Sequence, residues 1–167
     1  MPPTSAATAD IERSVVPTGL SYPDLVAAFE REVPRMDPNT ITGLVARKAT
    51  WDDVEREVAR VAGPRGLVIL GHFGQGAIGS LSGQPLQCAL YMVGNPVLAA
   101  RILAIDVRAC LYVPFRVALY DDGEPGGARI AFDRPSSFLA TLGRAELTDF
   151  GKLLDQKIDS VVAAIAR

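Results

Sequence analysis

Leu67-Val68-Ile69-Leu70-Gly71-His72-Phe73 is a short, continuous apolar run that carries the chain's only histidine near its end. A run of this length, bounded by glycines, reads as a buried strand. The segment that follows has glycine at 74, 76, 79 and 83 and reads as a loop. Leu86 to Val93 is the next apolar run, closed by Gly94-Asn95-Pro96. Asn95 is placed to cap a helix whose first position is Pro96, where the missing N–H costs nothing. That helix buries Leu98, Ile102 and Leu103. A long strand is expected from Leu111 to Tyr120, a hairpin loop over Asp121 to Gly127, and a return strand over Ala128 to Phe132.

Toward the N-terminus, Ile11 to Pro17 reads as a first short strand. Ser21-Tyr22-Pro23-Asp24 starts a helix in a capping-box-like arrangement, with Tyr22, Leu25, Val26, Phe29 and Val33 as its apolar stripe. Pro34 ends it. Ile41, Leu44 and Val45 fit either a short strand or a helical turn. Thr50-Trp51-Asp52-Asp53 opens another helix, with stripe Trp51, Val54, Val58 and Val61, stopped by Gly63-Pro64. Toward the C-terminus, Pro135-Ser136-Ser137 leads into a short helical turn. A last helix is expected from about Thr148 to Ala166, carrying Phe150, Leu153, Leu154, Ile158, Val161, Val162 and Ile165.

The order is therefore β-α-β-β-α-β-β-α, with a helical insertion at residues 34–64. The expected fold class is α+β, a mainly antiparallel sheet with helices packed on one face. The other face needs a cover, and a second subunit is the expected one.

The chain has 167 residues, 49% of them hydrophobic, and a net charge of −2 with both signs mixed along its length. That fits one α+β domain over residues 11–167. Without a basic stripe, nucleic-acid binding lacks its electrostatic footprint. No apolar run approaches the roughly 20 residues of a membrane helix. Met1 to Asp10 is small, polar and Pro-containing, with neither a basic nor an apolar segment of the kind that targets export. It reads as a disordered leader. Cys88 and Cys110 are too few for a disulfide scaffold. The expected setting is the reducing cytoplasm. One histidine, two cysteines and scattered carboxylates make no zinc set, so no metal site is expected.

His72, at a strand end beside a glycine segment, is of the residue type best suited to general acid–base work; an ordinary core imidazole fits the same position. Gly74-Gln75-Gly76-Ala77-Ile78-Gly79 spells the dinucleotide fingerprint, but no acidic residue ends a following strand at the right distance, and Ser-Leu-Ser-Gly-Gln-Pro is poor helix material. No cofactor is expected. Tyr91, Tyr112, Arg116, Tyr120 and Asp133 are polar groups on expected strands. Alternation puts Tyr112, Pro114, Arg116, Ala118 and Tyr120 on one face and Val113, Phe115, Val117 and Leu119 on the core face. An arginine between two tyrosines suits an anionic or aromatic ligand; a surface patch explains it equally well. Cys88 joins the candidate ligand contacts, and as a nucleophile it would need His72 beside it on the adjacent strand.

The His72 strand end, Gly94-Asn95-Pro96, the Pro114 strand with its Tyr120-Asp121-Asp122 exit, and Asp133-Arg134-Pro135 together resemble domain-of-unknown-function family 302, over roughly Ser14 to Leu142. The resemblance implies a compact α/β domain, often paired as a dimer, with no agreed activity. This chain has Gly71-His72 where members often carry Asp-His. It has Tyr112-Val113-Pro114 for Asp-Leu-Pro, and Asp133-Arg134-Pro135 for Asn-Asp-Pro. These departures fit a pocket reshaped for a larger, less polar ligand.

The leading functional expectation is a small cofactor-independent enzyme acting on an organic metabolite by acid–base chemistry: a cyclisation, isomerisation or elimination in an apolar pocket. His72 would move the proton, with Tyr91 and Arg116 orienting the substrate or stabilising charge. Tyr112, Tyr120, Asp133 and Cys88 would contact it. The alternatives are a non-catalytic small-molecule-binding domain and a dimeric interaction module. The expected partners are a small-molecule ligand and a second copy of the chain, with neither nucleic acid nor membrane.

Overall fold

Five strands pair within residues 8–166, the part of the chain that the computed structural model describes. They are β1 (Arg13–Pro17), β2 (Val68–Phe73), β3 (Gln87–Gly94), β4 (Phe115–Asp121) and β5 (Arg129–Asp133). They form one sheet in the order β1-β5-β4-β3-β2, every neighbouring pair antiparallel. The helices are α1 (Tyr22–Glu32), α2 (Pro38–Ala46), α3 (Trp51–Ala62), α4 (Gln75–Gly79), α5 (Pro96–Ile105), α6 (Pro135–Ala140) and α7 (Ala145–Ile165). This is the α+β class expected from the sequence. Most of the expected leader lies outside the described residues; residues 8–10 have no regular structure.

The caps act as the sequence reads. The Asp24 N–H donates to Ser21 Oγ, and Thr50 and Asp53 complete a capping box. Asn95 Oδ1 accepts from the N–H groups of Val97 and Leu98 at 2.9 and 3.1 Å. Each cap satisfies helix-end donors that would otherwise be orphaned.

Alternate strand residues build the core. Ala89, Tyr91 and Val93, with Phe115, Val117, Leu119, Ile130 and Phe132, are buried against Leu25 and Phe29 of α1, Ile102 of α5, and Leu154, Ile158 and Val161 of α7. The insertion settles the open choice at residues 35–49 in favour of helix, with a single parallel bridge from Arg35 to Ile69. It forms its own small cluster of Met36, Val58 and Ala62 against Val68.

Two expectations are corrected. The glycine segment is not a plain loop: it holds α4 and a 3₁₀ turn at Ser80–Ser82. Ser80 Oγ donates to the Gly76 carbonyl at 2.7 Å and accepts from Leu86 N–H at 2.9 Å. Gly76 lies so close to β3 that a Cβ would stand 2.3 Å from the Leu86 carbonyl oxygen. The strand expected from Leu111 starts only at Phe115. Asp106 caps a 3₁₀ turn at Val107–Leu111, which carries Tyr112 out of the sheet.

The other end of the sheet is stapled to α7. Arg134 holds Asp159 through both terminal guanidinium nitrogens, at 2.6 and 2.9 Å, and Asp155 accepts the Ser136 N–H that opens α6. Here α7 approaches α6 at Gly151, where a Cβ would stand 2.4 Å from Ser136 Cα. Gly151→Ala gains up to about 1 kcal/mol of helix propensity. The backbone clash costs about 1–3 kcal/mol, and the clash wins because Ser136 is tied to Asp155. Chemical denaturation of Gly151→Ala is expected to show a lowered midpoint; an unchanged or raised one would contradict this packing.

Candidate functional site

The helices cover the Tyr91–Val117 face. On the opposite face no long helix lies over β4, β5 and β1, and there Arg116, Ala118 and Tyr120 of β4 stand beside Ala131 and Asp133 of β5 and Arg13 and Val15 of β1. Arg13 Nε donates to Asp133 Oδ1 at 2.7 Å. This contact holds the Arg13 pKa above its ordinary value, by hydrogen bonding first and by charge second. Arg116 approaches the other Asp133 oxygen only to 3.8 Å. Its side chain is 69% exposed, against 18% for Asp133.

Two hollows meet at this cluster. One, of about 340 Å³, runs toward Tyr112 and is walled by Met92, Pro114 and Phe138. The other, of about 520 Å³, runs toward Tyr120 and is walled by Val15, Leu90, Ala118 and Ala131. Arg116 and Asp133 line both. Tyr112 stacks on Phe138 with ring centres 5.2 Å apart, and its hydroxyl lies 3.0 Å from Thr141 Oγ1. Cys88 is half-buried and pairs with Tyr120 across β3 and β4. Arg116, Tyr112, Tyr120 and Asp133 therefore line these hollows, whereas Cys88 lines neither.

His72 and Tyr91 are on the other side of the sheet. They pair across β2 and β3, with ring centres 4.7 Å apart. His72 is exposed, whereas Tyr91 is fully buried. The Tyr91 hydroxyl donates to Glu30 at 2.9 Å, Glu30 also binds Arg35, and the Arg35 guanidinium sits 5.9 Å over the Tyr91 ring. The expected grouping of His72, Tyr91 and Arg116 in one pocket is corrected by strand parity. Tyr91 and Met92 are consecutive, so they point to opposite faces, and it is Met92 that pairs with Arg116. Cys88 is likewise on the face away from His72.

Burial, then the hydrogen bond to Glu30, pushes the Tyr91 phenol well above its ordinary 10.0. Its hydroxyl proton is held in the hydrogen bond to Glu30. Among the described residues no three His, Cys, Asp or Glu side chains gather as a metal site would need. No described helix is long and apolar enough to cross a membrane.

Arg13, Glu30 and Arg35 were invisible to sequence reasoning. Arg13 reaches Asp133 only through the β1–β5 pairing, 120 residues apart along the chain. Alternation along Arg13-Ser14-Val15 marks its face once that pairing is known.

The sequence model of the family described as "Domain of unknown function DUF302" matches residues 44–165. The match starts and ends later than the motif resemblance from Ser14 to Leu142, and it takes in α3 and α7. The crystal structure of an uncharacterized conserved protein DUF302 from Bacillus stearothermophilus superimposes with a TM-score of 0.65 at 13% identity, covering 92% of this chain and 97% of that one. At that identity the likeness is one of fold. No curated protein matches the chain.

The raised Tyr91 pKa makes a signed prediction. The unfolded chain releases this proton near 10, and the native state holds it beyond that. Above about pH 10 the unfolded state therefore binds fewer protons, and native stability falls as pH rises. The contribution is fully present below that pH. Tyr91→Phe is expected to lose about 1–2 kcal/mol at neutral pH with the hydrogen bond to Glu30. Its deficit against wild type should shrink above about pH 10 in urea titrations. A deficit that stays constant into alkali would contradict this assignment.

Proposed function

This chain belongs to the DUF302 family, and we propose that it is a small-molecule-binding domain whose ligand lies on the uncovered sheet face between Tyr112 and Tyr120. The observation that carries this reading is the meeting of two hollows, of about 340 and 520 Å³, at Arg116 and Asp133. Ligand sites typically span ~300–1,000 Å³, with mostly apolar walls and a few converging polar groups. Aliphatic walls around one arginine–aspartate cluster match that description. Acid–base turnover would need the proton carrier within hydrogen-bond reach of the bound molecule. His72 lies across the sheet from the groove, which favours binding as the function of the groove.

Ala131→Trp places an indole in the larger hollow without touching the core face. It is expected to cut the fluorescence gained by bound anilinonaphthalene sulfonate by at least about fivefold, with the circular dichroism spectrum unchanged. Undiminished dye binding would contradict the site.

A second reading rests on a different observation. Phe73, Ile78, Leu81 and Leu86 are 56%, 78%, 86% and 46% exposed around α4 and its 3₁₀ turn. From Leu67 to Ala100 the chain has no Asp, Glu, Lys or Arg. We propose that a second copy covers these residues. A twofold contact places residues near their own copies, where like charges repel; an uncharged apolar patch avoids that cost. Each large side chain fully buried there contributes about 1.5–3 kcal/mol. Sedimentation equilibrium is expected to show a dimer that Ile78→Glu with Leu81→Glu dissociates. A monomeric wild type, or a double variant that stays dimeric, would contradict the pairing.

A further inference from the structure

Charge in the groove is unbalanced. Among the described residues, Arg13 and Arg116 supply two positive charges to its lining and Asp133 one negative charge. Asp133 is already taken: Arg13 holds one of its oxygens at 2.7 Å. Arg116, which lines both hollows, stands 3.8 Å from the other oxygen, beyond hydrogen-bond distance, and its side chain is mostly exposed. The neighbouring arginine, Arg129, is closed off by Asp122 at 3.0 Å. Arg116 is therefore the underused cation at the junction of both hollows.

We propose that the ligand is an organic anion with an apolar body, its carboxylate on the Arg116 guanidinium. This rests on the binding reading above and names its ligand class. A guanidinium offers a planar fork of N–H donors that pairs with a carboxylate through two parallel bonds. The anion can take that fork without breaking the Arg13–Asp133 pair. A cation would meet a surplus of positive charge. A neutral ligand would leave the second positive charge unbalanced, with Asp133 shared between two arginines.

The walls choose the rest of the molecule. From Arg116 to Tyr120 is four residues of strand, about 13 Å at 3.3 Å per residue. Val15, Leu90, Ala118 and Ala131 line that length with aliphatic surface. A medium-length alkyl chain or a flat hydrocarbon body lies along it, with its head at Arg116 and its tail toward Tyr120. The shorter hollow toward Tyr112 holds a branch or ring near the head, against Met92 and Phe138.

The test uses three probes with one tail: sodium octanoate, octylammonium chloride and octanol, titrated calorimetrically into the full chain at low salt. Octanoate is expected to bind at least about tenfold tighter than the other two, since only it pairs with the guanidinium. Arg116→Gln is expected to reduce octanoate to the level of octanol. Octanol or octylammonium binding as tightly as octanoate would overturn the anion preference while leaving the groove as a ligand site. Octanoate binding unaltered in a folded Arg116→Gln would overturn Arg116 as the anchor. The wild-type comparison alone decides the preference if that variant fails to fold. Binding of none of the three would overturn both this inference and the reading beneath it.

Discussion

The pleat of an antiparallel strand sends each residue to the face opposite its neighbour's, and the layout of this molecule follows from that parity. In β4, Phe115, Val117 and Leu119 go under the helices, and Arg116, Ala118 and Tyr120 go the other way. In β3 the same division puts Tyr91 in the core and Met92 outside it. Helices α1, α5 and α7 cover one face only. The chain thus leaves the other side of the sheet uncovered by long helices, and residues of even number in β3 and β4 and of odd number in β1 and β5 line it.

Burial decides what the polar groups on each side can do. Tyr91 and Glu30 form a fixed pair beneath the sheet, with Arg35 as the counter-charge. That arrangement satisfies a buried hydroxyl, which is costly to leave alone. Above the sheet, Arg13, Asp133 and Arg116 meet at the surface, where ion pairs stabilise little because water competes and salt screens. The upper cluster gives the groove a charge pattern more than it gives the fold stability. The same division explains why the lone imidazole, the most conspicuous residue of the sequence, is not part of the groove.

Local rules were legible in the sequence and pairing rules were not. The caps at Ser21, Thr50 and Asn95, the helical stripes, and the strand alternation from Phe115 to Tyr120 can each be read from a handful of adjacent residues, and each is found in the structure, except that Trp51 and Leu153 of the expected stripes are exposed. So can the α+β order. The face assignment of His72 relative to Arg116 needs the β2–β3–β4 register, which includes an irregularity between Ile69 and Gly71. The helical form of Gln75–Gly79 depends on Gly76 fitting against the backbone of β3, a contact no local pattern announces. Arg13 belongs to the cluster only because β1 pairs with β5 rather than with its sequence neighbours.

A crystal structure of the chain grown with octanoate tests the account most directly, because it locates the ligand and its head in one measurement. The account predicts the carboxylate against the Arg116 guanidinium and the alkyl chain along Ala118 and Ala131. Octanoate ordered beside His72 on the other face would contradict it.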